Sequence, residues 1–348
     1  MEEPMKRLTR LWLILFCIAL NVYSSDIIIL NGAGATFPFP LYQKWIDVFQ
    51  NQSETRITYQ GVGSGSGIRK IKNMEIDFGG SDAFLSDDEL SSMPAQILHV
   101  PTCVGAVVVI YHLPGDPHLK FTPELLADLF SNKIKSWADP RIQSVNEKTS
   151  LPDMPVTIIH RAESSGTTYL FTKYLSSISP PWNSAIGAGK SVNWPEGIGV
   201  EGNPGVAELV KKISGSVGYV ELTYAQTHHL SMASIKNAAG NFITPTIQSV
   251  SNAARLDLPD DTRMLLLNTK TTQGYPISGF TYLLVYREQD YQSRSLEKAR
   301  ALKQLLNWMI HQGQEYTQDL HYAPLPDKAV VKAEKIIESI TYDHKPIQ

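Results

Sequence analysis

Cysteine is nearly absent from this sequence, with Cys17 and Cys103 the only two among 348 residues. If the first leaves with an N-terminal signal, the second can make neither an internal disulfide nor a cysteine-based zinc site, and the core must hold without staples. Cys103 lies in Val100-Pro101-Thr102-Cys103-Val104-Gly105, which reads as a strand and makes it a small buried apolar side chain rather than a nucleophile. An excess of one charge is missing too. Lys and Arg number 31 against 34 Asp and Glu, a net −3 mixed along the chain, which excludes a basic field for nucleic acid or an anionic membrane. Any anion must therefore be held by local donors.

The familiar hydrolytic and metal motifs are also lacking. The nine histidines contain no HExxH pairing; His112 and His118 flank the turn Pro114-Gly115-Asp116-Pro117, and His228-His229 reads as surface. Gly63 to Gly67 spells Gly-Ser-Gly-Ser-Gly, with glycine where a nucleophilic serine belongs. Gly187-Ala188-Gly189-Lys190-Ser191 ends like a nucleotide-binding P-loop, but Ser184 replaces the earlier glycine. Pro180-Pro181-Trp182 and Trp194-Pro195 around it leave room for neither strand nor helix.

What is present is a globular composition, 43% hydrophobic and 19% charged, long enough for roughly two domains. Lys6, Arg7 and Arg10 precede the apolar run Leu11 to Leu20 and then Ser24-Ser25, the layout of a secretory signal peptide over residues 1–24. Its apolar run falls short of the roughly 20 residues a bilayer-spanning helix needs. Cleavage near Ser24 or Ser25 leaves a soluble chain with 28 basic and 32 acidic residues.

The pattern after the signal repeats a unit of strand, small-residue turn and helix. Strand Ile27–Leu30 meets Asn31-Gly32-Ala33-Gly34-Ala35-Thr36 before a helix over Pro40–Phe49; strand Arg56–Gln60 meets Gly61 to Gly67 before a helix around Ile68–Asn73. A short strand Ile76–Gly79 leads to Ser81-Asp82, and Val104–Tyr111 suits a buried strand. Thr122-Pro123-Glu124 caps a helix through Phe130. Strand Val156–Ile159 runs into His160 to Thr168 and a helix over Tyr169–Leu175, repeating the unit about 100 residues later. A helix over Val206–Lys212, strands Val217–Val220 and Phe280–Tyr286, and helices Leu296–His311 and Ala329–Ile340 complete the reading. Such alternation predicts an α/β protein with mostly parallel sheets covered on both faces.

Three of these turns, at Ala35-Thr36-Phe37, Gly63 to Gly67 and Ser164-Ser165-Gly166-Thr167, sit where open parallel sheets gather their ligands. Each offers unpaired backbone N–H groups at a helix start, and serine and threonine add hydroxyls, a combination suited to a tetrahedral oxyanion. Arg161 adds a planar fork of donors. Each residue also has a plainer role: turns and caps need Ser, Thr and Gly anyway, Asp82 could cap Ala83-Phe84-Leu85, and Arg161 could pair with Glu163 or lie on the surface.

The segments Gly32 to Pro38, Tyr59 to Gly67, Asp77 to Ala83 and Arg161 to Thr167 together resemble the periplasmic phosphate-binding proteins of the high-affinity phosphate ABC transporter. The likeness continues in order through Ser214 to Glu221 and Tyr275-Pro276-Ile277. It implies a type II periplasmic-binding-protein fold in which Thr36, Phe37 and Ser64 donate from one wall and Arg161, Ser165, Gly166 and Thr167 from the other. Asp82 would accept from the proton phosphate retains, and Glu163 would steady the arginine. Glu163 stands for the commoner aspartate and Ser164 for a glycine, changes that bear on the reach of Arg161 and the shape of that loop.

The resemblance further implies two domains joined by two crossing strands, residues 25–101 with 276–348 and residues 102–275, closing on the ion. The expected function is extracytoplasmic capture of inorganic phosphate and its delivery to an inner-membrane permease and ATPase complex by a periplasmic monomer. It implies no enzyme activity, cofactor, metal or nucleic acid. Two alternatives stay open: a binder of another tetrahedral oxyanion, and a phosphate-ester hydrolase, for which no nucleophile or metal cluster is found. Sulfate carries no proton, and a site built around one hydrogen bond rejects an analogue unable to make it by about 10⁴–10⁵.

Overall fold

The computed structural model describes residues 27–348; the expected signal, Cys17 and the cleavage near Ser24 or Ser25 lie outside them. The first described elements are β1 (Ile29–Gly34), α1 (Phe39–Gln50), β2 (Arg56–Gly61), α2 (Ser64–Lys72) and β3 (Phe78–Ser81), with β1 parallel to both β2 and β3. A long, almost wholly buried strand follows, β4 (Ile97–Tyr111). Then come β5 (Thr157–Arg161), α3 (Gly166–Ile178), β6 (Ile198–Val200), α4 (Gly202–Lys212) and β7 (Ser216–Glu221). The chain returns through β8 (Leu265–Leu267) and β9 (Ile277–Tyr286) to α5 (Leu296–Ile310) and α6 (Asp327–Glu338).

Among the described residues ten strands join in the order β2-β1-β3-β9-β4-β7-β5-β6, with β8 beside β9 and Ser231–Met232 beside β4. Parallel pairing, expected from the alternation of strands and helices, holds on both flanks, where β5 pairs in parallel with β6 and β7. The middle departs from it. β9 runs antiparallel to β3 and β4, and β4 antiparallel to β7, because one strand carries the chain across the sheet and its neighbour brings it back. The sheet is therefore mixed.

β4 changes partner along its length: Ile97 to Ala106 pair with β9, and Val107 to Tyr111 pair with β7. Pro101 lies within it and has no N–H to give, and there the register slips, so that Thr281 faces Cys103 while Tyr282 faces Pro101. Thr102 is the extra residue of this bulge, and its hydroxyl is bonded to that of Tyr42, 2.7 Å away. Cys103 is buried in the strand, as the flanking residues predict. Two aromatic clusters pack on either side of the crossing. Tyr42, Trp45, Tyr59 and Phe78 form one, with Tyr42 and Tyr59 at 5.1 Å between ring centres. Phe130, Phe171, Trp194 and Tyr219 form the other, with Phe171 and Tyr219 at 4.5 Å. α5 returns to the first cluster's side, where Trp308 meets Phe49 at 5.6 Å.

Several local expectations shift. β1 absorbs Asn31-Gly32-Ala33-Gly34, read as a turn, because a Cβ on Gly34 would lie 2.1 Å from the Gly80 carbonyl oxygen: the small residues serve close strand packing. α2 begins at Ser64, four residues before the expected start, directly after Gly63 in the left-handed region at φ 85°. Pro180–Ala185 is a short helix after all, since both prolines occupy a first turn that needs no N–H, and Ser179 accepts from the Trp182 N–H at 3.3 Å. Residues 187–191, the P-loop look-alike, belong to no strand or helix. The capped helix stands as Pro123–Phe130, with Thr122 accepting from the Leu125 N–H. Among the described residues no helix is long and apolar enough to cross a membrane.

Gly67 shows how tightly α2 is seated. A Cβ there would meet Gly34 Cα at 2.7 Å, the Ala33 carbonyl oxygen at 2.8 Å and the Gly80 carbonyl oxygen at 2.9 Å, all backbone atoms that cannot swing aside. Gly67→Ala gains up to about 1 kcal/mol of helix propensity, but forcing the helix off the strands costs about 1–3 kcal/mol or more. Strain wins. Chemical denaturation should show net destabilisation, and a stabilised variant would mean that α2 lifts freely from the sheet.

Candidate functional site

Four strand-to-helix junctions meet at the crossing strands. Thr36 and Phe37 lie between β1 and α1, Ser64 opens α2, Glu163 to Ser165 lie between β5 and α3, Gly166 and Thr167 open α3, and Gly202-Asn203 open α4. Asp82 follows β3, and Glu221 ends β7. Each predicted site residue except Glu163 is buried, and Glu163 is partly so.

Asp82 and Ser64 are in contact: the Asp82 N–H donates to Ser64 Oγ at 3.3 Å, and Ser64 Oγ lies 3.4 Å from Asp82 Oδ2. Thr281 of β9 donates to Asp82 Oδ1 at 2.8 Å. Gly166 faces them so closely that a Cβ on it would lie 2.4 Å from Ser64 Oγ and 2.6 Å from Asp82 Oδ2, so only glycine fits. Ser165 accepts from the Thr168 N–H at 3.1 Å as the N-cap of α3, which takes one lone pair of its hydroxyl and leaves the O–H to donate. The N–H groups of Gly166 and Thr167, in the first helical turn, have no carbonyl four residues back to bond.

Arg161 donates through Nη1 to Thr167 Oγ1 at 3.2 Å and through Nε to Glu163 Oε1 at 2.8 Å, with Nη2 on the same Glu163 oxygen. Of five guanidinium N–H groups, one on Nη1 and one on Nη2 remain to grip a ligand. The Gly202 N–H also donates to Glu163 Oε1, at 3.1 Å. Glutamate thus reaches the arginine in place of a shorter aspartate. Ser164 sits where a Cβ on Gly65 would come within 2.2 Å of its Oγ, so its bulk fits because residue 65 has none. Phe37 contributes a ring packed under Gly105 and a carbonyl that accepts from the Tyr322 hydroxyl at 2.6 Å.

Three residues escaped the sequence reading. Asn203 bonds both Thr36 and Thr167; it lies in Gly202-Asn203-Pro204, the fourth small-residue helix start, ahead of the expected start at Val206. Thr281 is a polar residue inside the apolar run of β9, which was its only signal. Glu221 is wholly buried, accepting from the Thr223 N–H at 2.6 Å through Oε2 while Oε1 has no partner.

The two faces of the site are stitched together. The Gly65 N–H donates to the Ser164 carbonyl at 2.9 Å, the Tyr224 hydroxyl to the Thr36 carbonyl at 2.6 Å, and Lys190 Nζ meets Glu89 Oε1 at 2.5 Å. Among the described residues no cluster of three or more His, Cys, Asp or Glu is placed to hold a metal ion.

Burial dominates the electrostatics. It pushes the Asp82 carboxyl from 3.8 up to about 7, against the pull of the Thr281 bond, the Arg161 charge and the Ser64 bond. Burial likewise drives Glu221 well above the usual carboxylate range, with the Asp82 charge adding to it. The fold therefore favours protonated Asp82, and that contribution to stability, complete below pH 4, is lost as the pH rises towards and through 7. With each tenfold change in proton affinity worth about 1.4 kcal/mol, Asp82→Asn should stabilise the anion-free protein by a few kcal/mol at pH 8 and little at pH 4. Thermal melts at both values measure this, and equal effects at the two would contradict the shifted carboxyl.

The family model of the PBP superfamily domain matches residues 21–312. The chain is 36% identical over 308 residues to the phosphate-binding protein PstS of Pasteurella multocida, spanning 87% of this chain and 88% of that one. It is 38% identical over 310 residues to the phosphate-binding protein PstS of Methanocaldococcus jannaschii, spanning 83% and 80%. Among solved structures, a high affinity periplasmic phosphate-binding protein bound with phosphate matches with a TM-score of 0.70 at 21% identity, over 88% of this chain and 93% of that one. The phosphate-binding protein from Stenotrophomonas maltophilia matches at 0.67 and 18% identity, over 89% and 93%. The structural likenesses establish the α/β binding-protein fold, and sequence identity over most of both chains establishes the rest: this chain belongs to the PstS family within the PBP superfamily.

Proposed function

We propose that this chain is a periplasmic solute-binding protein that captures one inorganic phosphate between the turns of Thr36, Ser64 and Arg161 to Thr167 and delivers it to an ABC transporter permease and ATPase. Its domains are residues 25–101 with 276–348 and residues 102–275, swinging about β4 and β9 and closing on the ion. The Pro101-Thr102 limit falls at the bulge of β4 and the Tyr275-Pro276 limit immediately before β9. The relatives are named as binding proteins, and the role read here is capture without turnover.

The observation that carries this reading is the buried meeting of one acceptor, Asp82, with donors that belong to other turns: Ser64, Gly166, Thr167 and the two free N–H groups of Arg161. Backbone N–H groups of Phe37, Ser64, Gly166 and Thr167 at helix starts and the hydroxyls of Thr36 and Thr167 answer phosphate oxygens. Ionised Asp82 accepts from the proton phosphate keeps at neutral pH. Sulfate brings no proton, so it binds only when Asp82 itself supplies one.

That condition gives the site a pH signature. Above about pH 7 Asp82 is increasingly ionised, and sulfate affinity should fall about tenfold per pH unit. Phosphate, which brings its own proton, should hold. Below pH 7 the discrimination narrows. Calorimetric titrations of purified protein with phosphate, arsenate and sulfate between pH 6 and 9 test this; arsenate, protonated like phosphate, should compete. Asp82→Asn should flatten the sulfate profile and lose selectivity more than phosphate affinity. Arg161→Ala should weaken every anion by about a hundredfold or more, through two lost charge-assisted bonds. Failure of the wild type to bind phosphate, or a selectivity unchanged in Asp82→Asn, would overturn the reading.

A further inference from the structure

Asn203 touches both walls of the site and is itself wholly buried. Its Oδ1 accepts from the Glu221 N–H at 2.9 Å, which settles how the amide is turned: Nδ2 must face the other way. Nδ2 then donates to Thr36 Oγ1 at 2.9 Å and to Thr167 Oγ1 at 3.2 Å. The Asn203 backbone N–H donates to Thr36 Oγ1 as well, at 3.2 Å.

A hydroxyl oxygen has two lone pairs and one hydrogen. Both lone pairs of Thr36 are taken by Asn203, and those of Thr167 are taken by Asn203 and by Arg161 Nη1 at 3.2 Å. Neither oxygen can accept from a guest. Each has one capacity left, its own O–H, and a hydroxyl whose oxygen already accepts donates more strongly. Resting on the functional reading above, we infer that Asn203 is a positioning residue: by filling lone pairs of Thr36 and Thr167 it makes both hydroxyls obligate donors, and so sets these two positions for the accepting oxygens of an anion.

The same amide joins the turn before α1 to the first turn of α3, so polarity is set at the same moment the two walls meet. An open arrangement that separates Thr36 from Asn203 would release the Thr36 hydroxyl to point either way. Glu221 has a part in this through its backbone alone, since its N–H holds the amide in orientation.

A double-mutant cycle on phosphate affinity tests the inference, with thermal melts in the absence of anion as the folding control. Asn203→Leu keeps the volume and removes the donors; it should weaken phosphate binding about 10–100-fold. In a Thr36→Val, Thr167→Val background the same change should cost less than about threefold, because the hydroxyls it acts through are gone. Equal costs in both backgrounds overturn the inference. Asn203→Asp keeps the acceptor for the Glu221 N–H, and serves if the leucine variant does not fold. It draws the two hydroxyls towards its own carboxylate, so phosphate affinity should fall at least a hundredfold, and the gap to wild type should narrow as the pH is lowered and the new carboxyl takes a proton. A gap unchanged with pH also overturns the inference. Wild-type protein that does not bind phosphate instead refutes the functional reading, which the same titrations show first.

Discussion

A buried guanidinium whose charge is already answered is the constraint on which this site depends. Arg161 gives Nε and Nη2 to Glu163 and part of Nη1 to Thr167, so what it presents inward is a pair of N–H bonds on a neutralised ion pair. Asp82 adds a carboxyl that is negative or neutral, and burial favours the neutral form of Glu221. The surroundings of an anion here carry no positive net charge. Attraction must come from oriented donors, namely helix N-termini, hydroxyls and the two free N–H groups of Arg161, which act strongly because water is excluded and which demand correct geometry. A near-neutral chain can therefore select an anion without a basic surface.

The crossing strands supply that geometry. Thr281, the donor to Asp82, sits at the point where the register between β9 and β4 slips, and Thr102 bonds the Thr281 carbonyl at 3.3 Å from the opposite strand. The acceptor of the site is thus tied to the strand pair that links the two halves of the sheet. On the far side Glu221 ends β7, which pairs with the other end of β4 and orients Asn203 through its N–H. One strand therefore sets the positions of residues far apart in the chain, and its burial, with no water to replace lost ladder bonds, makes that setting stiff.

Periodicity and cap residues make much of this legible in the sequence. α1 and the C-terminal pair α5 and α6 follow from apolar spacing, and the helix after Thr122 from its N-cap as well, all of them local properties. Strand ends were less so. Glycines in β1 and α2 look like turn residues in sequence, yet Gly34 and Gly67 are small because backbone from another element lies against them, a fact of tertiary packing. The site divides the same way. Thr36, Ser64 and Ser165 to Thr167 announce themselves as helix starts, Arg161 as a fork of donors beside one of them, and Asp82 stood out through family resemblance. Asn203 and Thr281 act through partners 36 to 199 residues away and Glu221 through Asn203, 18 residues away, and no local pattern marks such pairs.

Proton sharing then explains why a carboxyl of shifted affinity is useful where a plain donor would bind an anion more simply. In the proposed complex Asp82 and phosphate titrate in the same range, so a proton between them would belong to the pair rather than to either partner. Whether the guest arrives with one proton or two, one hydrogen remains between two oxygens and the contact is kept. A guest without a proton must take one from Asp82, at a cost that grows as the solution becomes more basic. Burial raises Asp82, while Thr281, Arg161 and Ser64 lower it, and their balance near neutrality sets where that cost begins. Were the donors to prevail, phosphate would be required to bring the proton at every pH; were burial to prevail, Asp82 would be one more donor and the distinction between the anions would vanish.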